Sequence, residues 1–79
     1  MESGMARLRT RAAGDRQWVT ISGHLTGRDL GRLERLCAGI LEEERLRLTL
    51  RLAAGVELDD AARAYMERLA RRGATVLFD

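Results

Sequence analysis

The N-terminal part of the chain alternates between polar and apolar side chains in two short runs. Residues 5–11 carry an arginine at every second position from Arg7 onward, and residues 17–23 place Val19 and Ile21 on one side and Trp18 on the other. A period of two is typical of a β-strand whose two faces meet different surroundings. Because the Ala13-Gly14-Asp15 sequence between the runs favours a turn, the pattern predicts a β-hairpin.

A helical period replaces the alternation after Gly23. The apolar stripe of this predicted helix consists of Leu30, Leu33, Cys37, Ile40 and Leu41, with Leu36 at its edge. Such spacing predicts a helix with one buried face. Thr26 stands where the N-cap is expected, and Asp29 three residues later forms a capping-box pattern with it. Gly39 weakens the helix by about 1 kcal/mol relative to alanine, and we expect it to allow a close approach to a strand.

Residues 46–72 change from a period of two to a helical period. Leu46, Leu48, Leu50 and Leu52 alternate with Arg47, Thr49 and Arg51. This alternation predicts a strand with one apolar and one charged face. The apolar positions of the helix that follows are Ala62, Tyr65, Met66 and Leu69. Asp59 and Asp60 stand at its start, where a carboxylate can accept from free backbone N–H groups. Gly73 ends the helix, and residues 75–78 predict a last strand.

The element order is β-β-α-β-α-β, which predicts a single small α/β domain. We expect a flexible N-terminus at residues 1–4 and one domain over residues 5–79. Strands joined through helices should be parallel with right-handed crossovers, so the sheet is mixed and four-stranded, with the hairpin at one edge. The predicted core comprises Val19, Ile21, Leu33, Ile40, Leu48, Leu50, Met66 and Leu69. Alternating rather than continuously apolar strands indicate that both helices cover the same face.

The uncovered face of the predicted sheet is rich in arginine. It holds Arg7, Arg9, Arg11, Arg47 and Arg51, with Trp18, Thr20 and Thr49. Three interpretations are open. The arginine stems can simply cover Trp18 on a solvated surface. The face can bind a protein, including a second copy in a homodimer. It can also bind RNA or another anion, with Trp18 as a stacking platform.

The composition of the chain restricts the kinds of partner, metal site and cellular location that we expect. All 14 basic residues are arginines, and 12 acidic residues leave a net charge of +2, which does not by itself imply a nucleic-acid partner. Cys37 is the sole cysteine, so no internal disulfide or cysteine-based metal site is predicted. No run of residues is apolar enough to span a bilayer, and the opening residues lack a signal-peptide pattern, so we expect neither a membrane span nor a signal peptide. We therefore expect a cytoplasmic protein without membrane insertion.

Few side chains suggest chemistry. His24 is either a pH-sensitive group or an exposed loop residue, and Cys37 is either a buried apolar side chain or a nucleophile. Asp59 and Asp60 either cap the second helix or contact a partner. The chain has no glycine-rich phosphate loop, no cluster of metal ligands and no Ser/His/Asp set. We expect a protein that is not an enzyme and that uses no metal or other cofactor.

Three stretches resemble the STAS domain, especially the bacterial anti-sigma factor antagonists. W-V-T-I-S-G-H-L-T at 18–26 is similar to the family's strand before its first helix. L-R-L-A-A-G-V-E-L-D-D-A-A at 50–62 is similar to L-D-L-S-G-V-T-F-I-D-S-S-G, and R-R-G-A-T-V-L-F at 71–78 is similar to the approach to the next strand. The resemblance covers residues 5–79. It implies binding to an anti-sigma factor, a related kinase-like regulator or the ATPase of a transport complex.

The resemblance also implies where a partner binds. The family's regulatory turn corresponds to Asp59, Asp60, Ala61, Ala62 and Arg63. Asp59 matches the aspartate that precedes the phosphorylated serine, and Asp60 replaces that serine. Arg51 replaces the aspartate of L-D-L. Asp60 cannot be phosphorylated by a serine kinase and carries about one negative charge where phosphoserine carries roughly 1.5 to 2. The expectation is a constitutive partner site rather than a switch.

Overall fold

The computed structural model describes residues 6–43 and 46–79. The predicted flexible segment 1–4 lies outside these residues. The strands are β1 (Arg7–Ala13), β2 (Arg16–Ser22), β3 (His24–Leu25), β4 (Arg47–Leu52), β5 (Glu57–Leu58) and β6 (Thr75–Phe78). The helices are α1 (Leu30–Leu41), preceded by a 3₁₀ turn at Gly27–Asp29, and α2 (Asp60–Arg71).

The main sheet has the predicted mixed topology. Its strand order is β1-β2-β4-β6. The first two strands form the antiparallel hairpin, and β2, β4 and β6 are parallel. Gly14 in the hairpin turn has a φ of 65°, a backbone conformation that glycine adopts without the steric penalty of a side chain. The predicted fold class is therefore confirmed.

One apolar core lies between the sheet and both helices. Its sheet members with the least exposure are Val19, Ile21, Leu48, Leu50 and Leu52. The helices contribute Leu33 and Cys37 from α1 and Ala62, Tyr65, Met66 and Leu69 from α2. Because these residues form one cluster, both helices cover the same face of the sheet, as predicted. Ile40 is only partly buried, at the border of this core.

Two very short strands beyond the carboxyl ends of β2 and β4 were not predicted. His24 pairs with Glu57 and Leu25 with Leu58 in a parallel register. The Glu57 N–H donates to the Gly23 carbonyl at 2.9 Å, and Leu25 is fully buried. Two residues are too short a run for a period to be recognised in the sequence. This small second sheet brings the starts of the two helical segments together.

The helix ends follow the sequence signals. Thr26 precedes the 3₁₀ turn, and its backbone N–H donates to Asp29 Oδ2 at 3.1 Å. At the other end of the fold, Gly73 follows α2 with a φ of 105°. The Ala74 N–H donates to the Leu69 carbonyl at 3.0 Å, so the chain turns off the helix by satisfying one of its free carbonyls.

The expected close approach at Gly39 is wrong. A Cβ built on this residue would have no heavy atom within 4 Å, and the residue is exposed on α1. Nothing in the packing therefore requires glycine here. The entropic cost of glycine in a helix is not offset by a contact.

Gly39→Ala should raise the free energy of unfolding by about 0.5–1 kcal/mol, because alanine is the better helix former and meets open space. Chemical denaturation of both proteins measures the difference. Gly14→Ala is the matched control: it also meets open space, but its φ of 65° should make that variant less stable. Equal or lower stability of Gly39→Ala would mean that this glycine has a role in packing.

Candidate functional site

Asp59 joins the starts of both helical segments. Its Oδ1 accepts from the Ala62 N–H at 2.8 Å, and its Oδ2 accepts from the Gly27 N–H at 2.9 Å. Its own N–H donates to the Leu25 carbonyl at 3.2 Å. One carboxylate thus satisfies free N–H donors at the beginning of α2 and of the 3₁₀ turn before α1.

These bonds favour the charged form of Asp59. The Ala62 N–H, and then the Gly27 N–H, hold the pKa of the carboxyl below its ordinary value of 3.8, with a smaller contribution from nearby His24. Hydrogen bonds donated to a carboxylate stabilise its ionised state. Both carboxylate oxygens of Asp59 therefore stabilise the fold by accepting backbone hydrogen bonds.

The segment Asp59–Arg63, here called the α2 turn, divides into inner and outer residues. Asp59 is the N-cap and is half-buried, while Ala62 is fully buried. Asp60, Ala61 and Arg63 are exposed. The sequence did not show which of the two aspartates is the N-cap of α2. In the structure the N-cap is Asp59, because Asp60 is already the first helical residue and its side chain is exposed.

The second candidate surface is the uncovered face of the main sheet. In register across the strands, Arg11 lies beside Trp18 and Trp18 beside Thr49, while Arg9 lies beside Thr20 and Thr20 beside Arg51. We call this surface the arginine face. It consists of Arg7, Arg9, Arg11, Arg16, Arg47 and Arg51 around Trp18, Thr20 and Thr49. All six arginines are exposed, and the three central residues are half-buried.

Arg16 belongs to this face, although we did not predict it there from the sequence. It pairs with Ala13 across the hairpin and with Arg47 on β4. The predicted strand began at Gln17, one residue too late, so Arg16 was left between the predicted turn and the predicted strand. The signal was present, since Arg16 continues the even-numbered face of Trp18 and Thr20.

A shallow depression lies on the arginine face. It is lined by Arg11, Ala13, Trp18, Thr20 and Arg51, with a volume of about 340 Å³. Arg51 is also bound by Asp79, whose two carboxylate oxygens lie 3.0 and 3.1 Å from Arg51 Nε. The guanidinium of Arg51 is held in place by this exposed pair, which on a surface contributes little to stability.

The isolated reactive residues have ordinary structural positions. Cys37 is fully buried on α1, and burial raises the pKa of its thiol to about 11. A thiol of that pKa stays protonated near neutral pH and is a poor nucleophile. His24 is half-buried in β3 rather than exposed in a loop, which corrects one of the two sequence-based alternatives.

Within residues 6–43 and 46–79, no group of three or more His, Cys, Asp or Glu side chains is arranged to hold a metal ion. None of the helices there is long and apolar enough to cross a membrane.

Comparison with protein-family models, with curated proteins and with solved structures found no match to this chain. The resemblance to STAS domains therefore stays a prediction from the three sequence stretches.

Proposed function

We propose that this domain is a small cytoplasmic protein-binding module that resembles an anti-sigma factor antagonist and binds its partner through the α2 turn. The partner class is an anti-sigma factor or related kinase-like regulator, or the ATPase of a transport complex. The observation that carries the proposal is the division of the turn, in which Asp59 is bound internally while Asp60, Ala61 and Arg63 face outward.

The geometry of the turn suits binding. Asp59 fixes the start of α2 to the start of the other helical segment through two backbone N–H groups. Little backbone freedom is then left to lose when a partner docks, and such preorganisation lowers the cost of association. The outward side chains offer one carboxylate, one methyl group and one guanidinium.

The charges of the turn suit recognition better than catalysis. Both oxygens of Asp59 already accept hydrogen bonds. The side chain of Asp60 is exposed to solvent. A general acid or base needs a free carboxyl near a reacting group, often with a pKa raised by burial. A fixed charge at the rim of an interface instead selects partners and steers their approach. Asp60 is thus a constitutive recognition charge, without a phosphorylation switch.

Asp60→Ser should change partner affinity while leaving the melting temperature nearly unchanged. The substitution restores the hydroxyl found in the STAS family and removes one charge from the outer surface, but it leaves the Asp59 cap intact. We would immobilise the wild-type domain and the variant, expose both to extract of the cells that encode this chain, and measure the affinity of each retained protein after its purification.

Glu42→Gln is the matched control. Glu42 is exposed at the C-terminal end of α1, whereas the α2 turn is bonded to the segment that precedes α1, so this variant also removes one negative charge but lies away from the α2 turn. The proposal expects affinity to change for Asp60→Ser and not for Glu42→Gln. Equal affinities of the wild-type protein and Asp60→Ser for every retained protein would exclude the α2 turn as the contact.

A further inference from the structure

The charge of this protein is unevenly distributed between its two sides. In the described residues, the arginine face carries six arginines. Asp79 forms a salt bridge with one of them, Arg51. The remaining described acidic residues lie in the hairpin turn, on the helices or in their adjoining segments: Asp15, Asp29, Glu34, Glu42, Glu43, Glu57, Asp59, Asp60 and Glu67. A net charge of +2 therefore conceals a strongly positive sheet face.

Protection of the sheet edge explains only part of this pattern. Charged residues on an edge strand prevent pairing with other chains, and Arg7, Arg9 and Arg11 lie on the edge strand β1. Arg16, Arg47 and Arg51 lie on the interior strands β2 and β4, where no free edge needs protection. A concentration of positive charge across the whole face favours an anionic ligand.

Trp18 gives that ligand an aromatic component. It lies on the interior strand β2 and lines the same depression as Arg11 of β1 and Arg51 of β4. Its ring is half-buried, so part of it is accessible. An aromatic ring on a positively charged groove is the arrangement on which unpaired bases stack while arginines bind the phosphates.

We propose that the arginine face binds single-stranded RNA, with a base on Trp18 and the phosphates on the arginines around it. Thr49 pairs with Trp18 across the strands, and Thr20 follows Trp18 on the same face of β2. Their hydroxyls can bond the 2′-hydroxyl that distinguishes RNA from DNA. The site shares no residue with the α2 turn, so it is independent of the protein-binding function proposed above.

Other occupants fit the face less well. A duplex keeps its bases stacked internally and would leave Trp18 unused. A second copy docked face to face would bring twelve arginines together, because each copy contributes six, and like charges facing each other oppose association. An acidic protein would satisfy the arginines, but it has no need of an aromatic ring between them.

The test uses fluorescein-labelled oligouridylate as the probe. Anisotropy reports its binding, and Trp18 fluorescence reports contact, because this is the only tryptophan in the chain. We expect saturable quenching of Trp18. Trp18→Leu should weaken binding about 5- to 160-fold, the loss of one stacked base, while Trp18→Phe should retain most of the affinity. Thermal melts verify that each variant is folded.

Paired arginine variants give a second test that does not depend on Trp18. Replacing Arg9 and Arg11 with glutamine should reduce the slope of log affinity against log salt by about 1.4, as two phosphate contacts are lost. The matched control replaces Arg35 and Arg71, exposed on the two helices, and should leave the slope unchanged. If both double variants reduced the slope of log affinity against log salt equally, the charge of the whole protein, and not the arginine face, would attract RNA.

Five further results would overturn the proposal. Absence of Trp18 quenching at low salt would exclude the site. Equal affinity for duplex RNA, or for oligothymidylate, would exclude recognition of single-stranded RNA. Displacement of the probe by polyglutamate at matched charge would identify an acidic protein surface as the ligand. A change in Trp18 fluorescence on dilution, without RNA, would identify a second copy of the chain as the occupant.

Discussion

Leu50→Ala should lower the free energy of unfolding by about 2–5 kcal/mol, the range for removing a buried leucine side chain beyond its Cβ. Leu50 is fully buried and lies on β4 between Val19 of β2 and Val76 of β6. The cavity would open in the middle of the sheet, beneath both helices, where neighbours on either side are fixed by strand pairing. A domain of this length has only about 4–12 kcal/mol of stability in total, so the variant should lie close to unfolding.

Chemical denaturation monitored by circular dichroism measures this loss. Leu77→Ala is the matched control, because the same atoms are removed from a leucine that is 43% exposed on the opposite face of the sheet. We expect that change to cost less than about 1 kcal/mol. A melting temperature for Leu50→Ala lowered by only about a degree or two would contradict the central position of Leu50.

Asp59→Ala should destabilise the domain more than the loss of an ordinary N-cap. Loss of one N-cap typically lowers the melting temperature of a domain of this size by about 4–8 °C. Here the same carboxylate also accepts from Gly27, so two backbone N–H groups lose their partner together. We expect a decrease at or above the upper end of that range, measured by thermal unfolding near neutral pH.

Acid should remove the same stabilisation from the wild-type protein. The pKa of Asp59 is lower in the folded state than its ordinary value of 3.8, so the folded state binds a proton less readily than the unfolded state. The stabilisation is therefore complete above about pH 5 and is lost as the pH falls through the folded pKa. The stability difference between wild type and Asp59→Ala should shrink across that acidic interval.

Asp59→Asn separates the two hydrogen bonds. Asparagine caps a helix about as well as aspartate, but its side chain offers one acceptor oxygen, so one of the Ala62 and Gly27 donors must lose its bond. This variant should fall between wild type and Asp59→Ala and should lack the acid-dependent component. Equal stability of Asp59→Asn and the wild-type protein near neutral pH would show that the bond to Gly27 contributes nothing.

Local patterns in the sequence were sufficient to predict the four strands of the main sheet, the two helices and which faces of them are buried, but not the short strands β3 and β5. The leucines of β4 alternate with charged or polar residues, so they all lie on one face of the strand. Because Arg47 and Arg51 lie on the other face, the leucine face must be the buried one. The turn at Gly14 and the end of α2 at Gly73 follow from a backbone conformation that glycine adopts readily. These features depend on neighbours within a few residues, so the chain encodes them directly.

The candidate surfaces were predicted only in part. Alternation placed Arg7, Arg9, Arg11, Arg47 and Arg51 on one face with Trp18. Strand register then added Arg16 and set Arg11 and Thr49 on either side of the tryptophan. Which side chains become neighbours across a sheet depends on register, and a single strand's period does not contain that information.

The tertiary structure alone decided the role of Asp59. Two adjacent aspartates before a helix are equivalent in a local pattern, and each is a good cap. Asp59 is selected because the small β3–β5 sheet brings Gly27 within 2.9 Å of its carboxylate. That contact spans 32 residues of sequence, and no periodicity or capping rule relates positions so far apart. It exists because the loops after β2 and β4 meet at the same edge of a parallel sheet, leaving Asp60 to face the solvent.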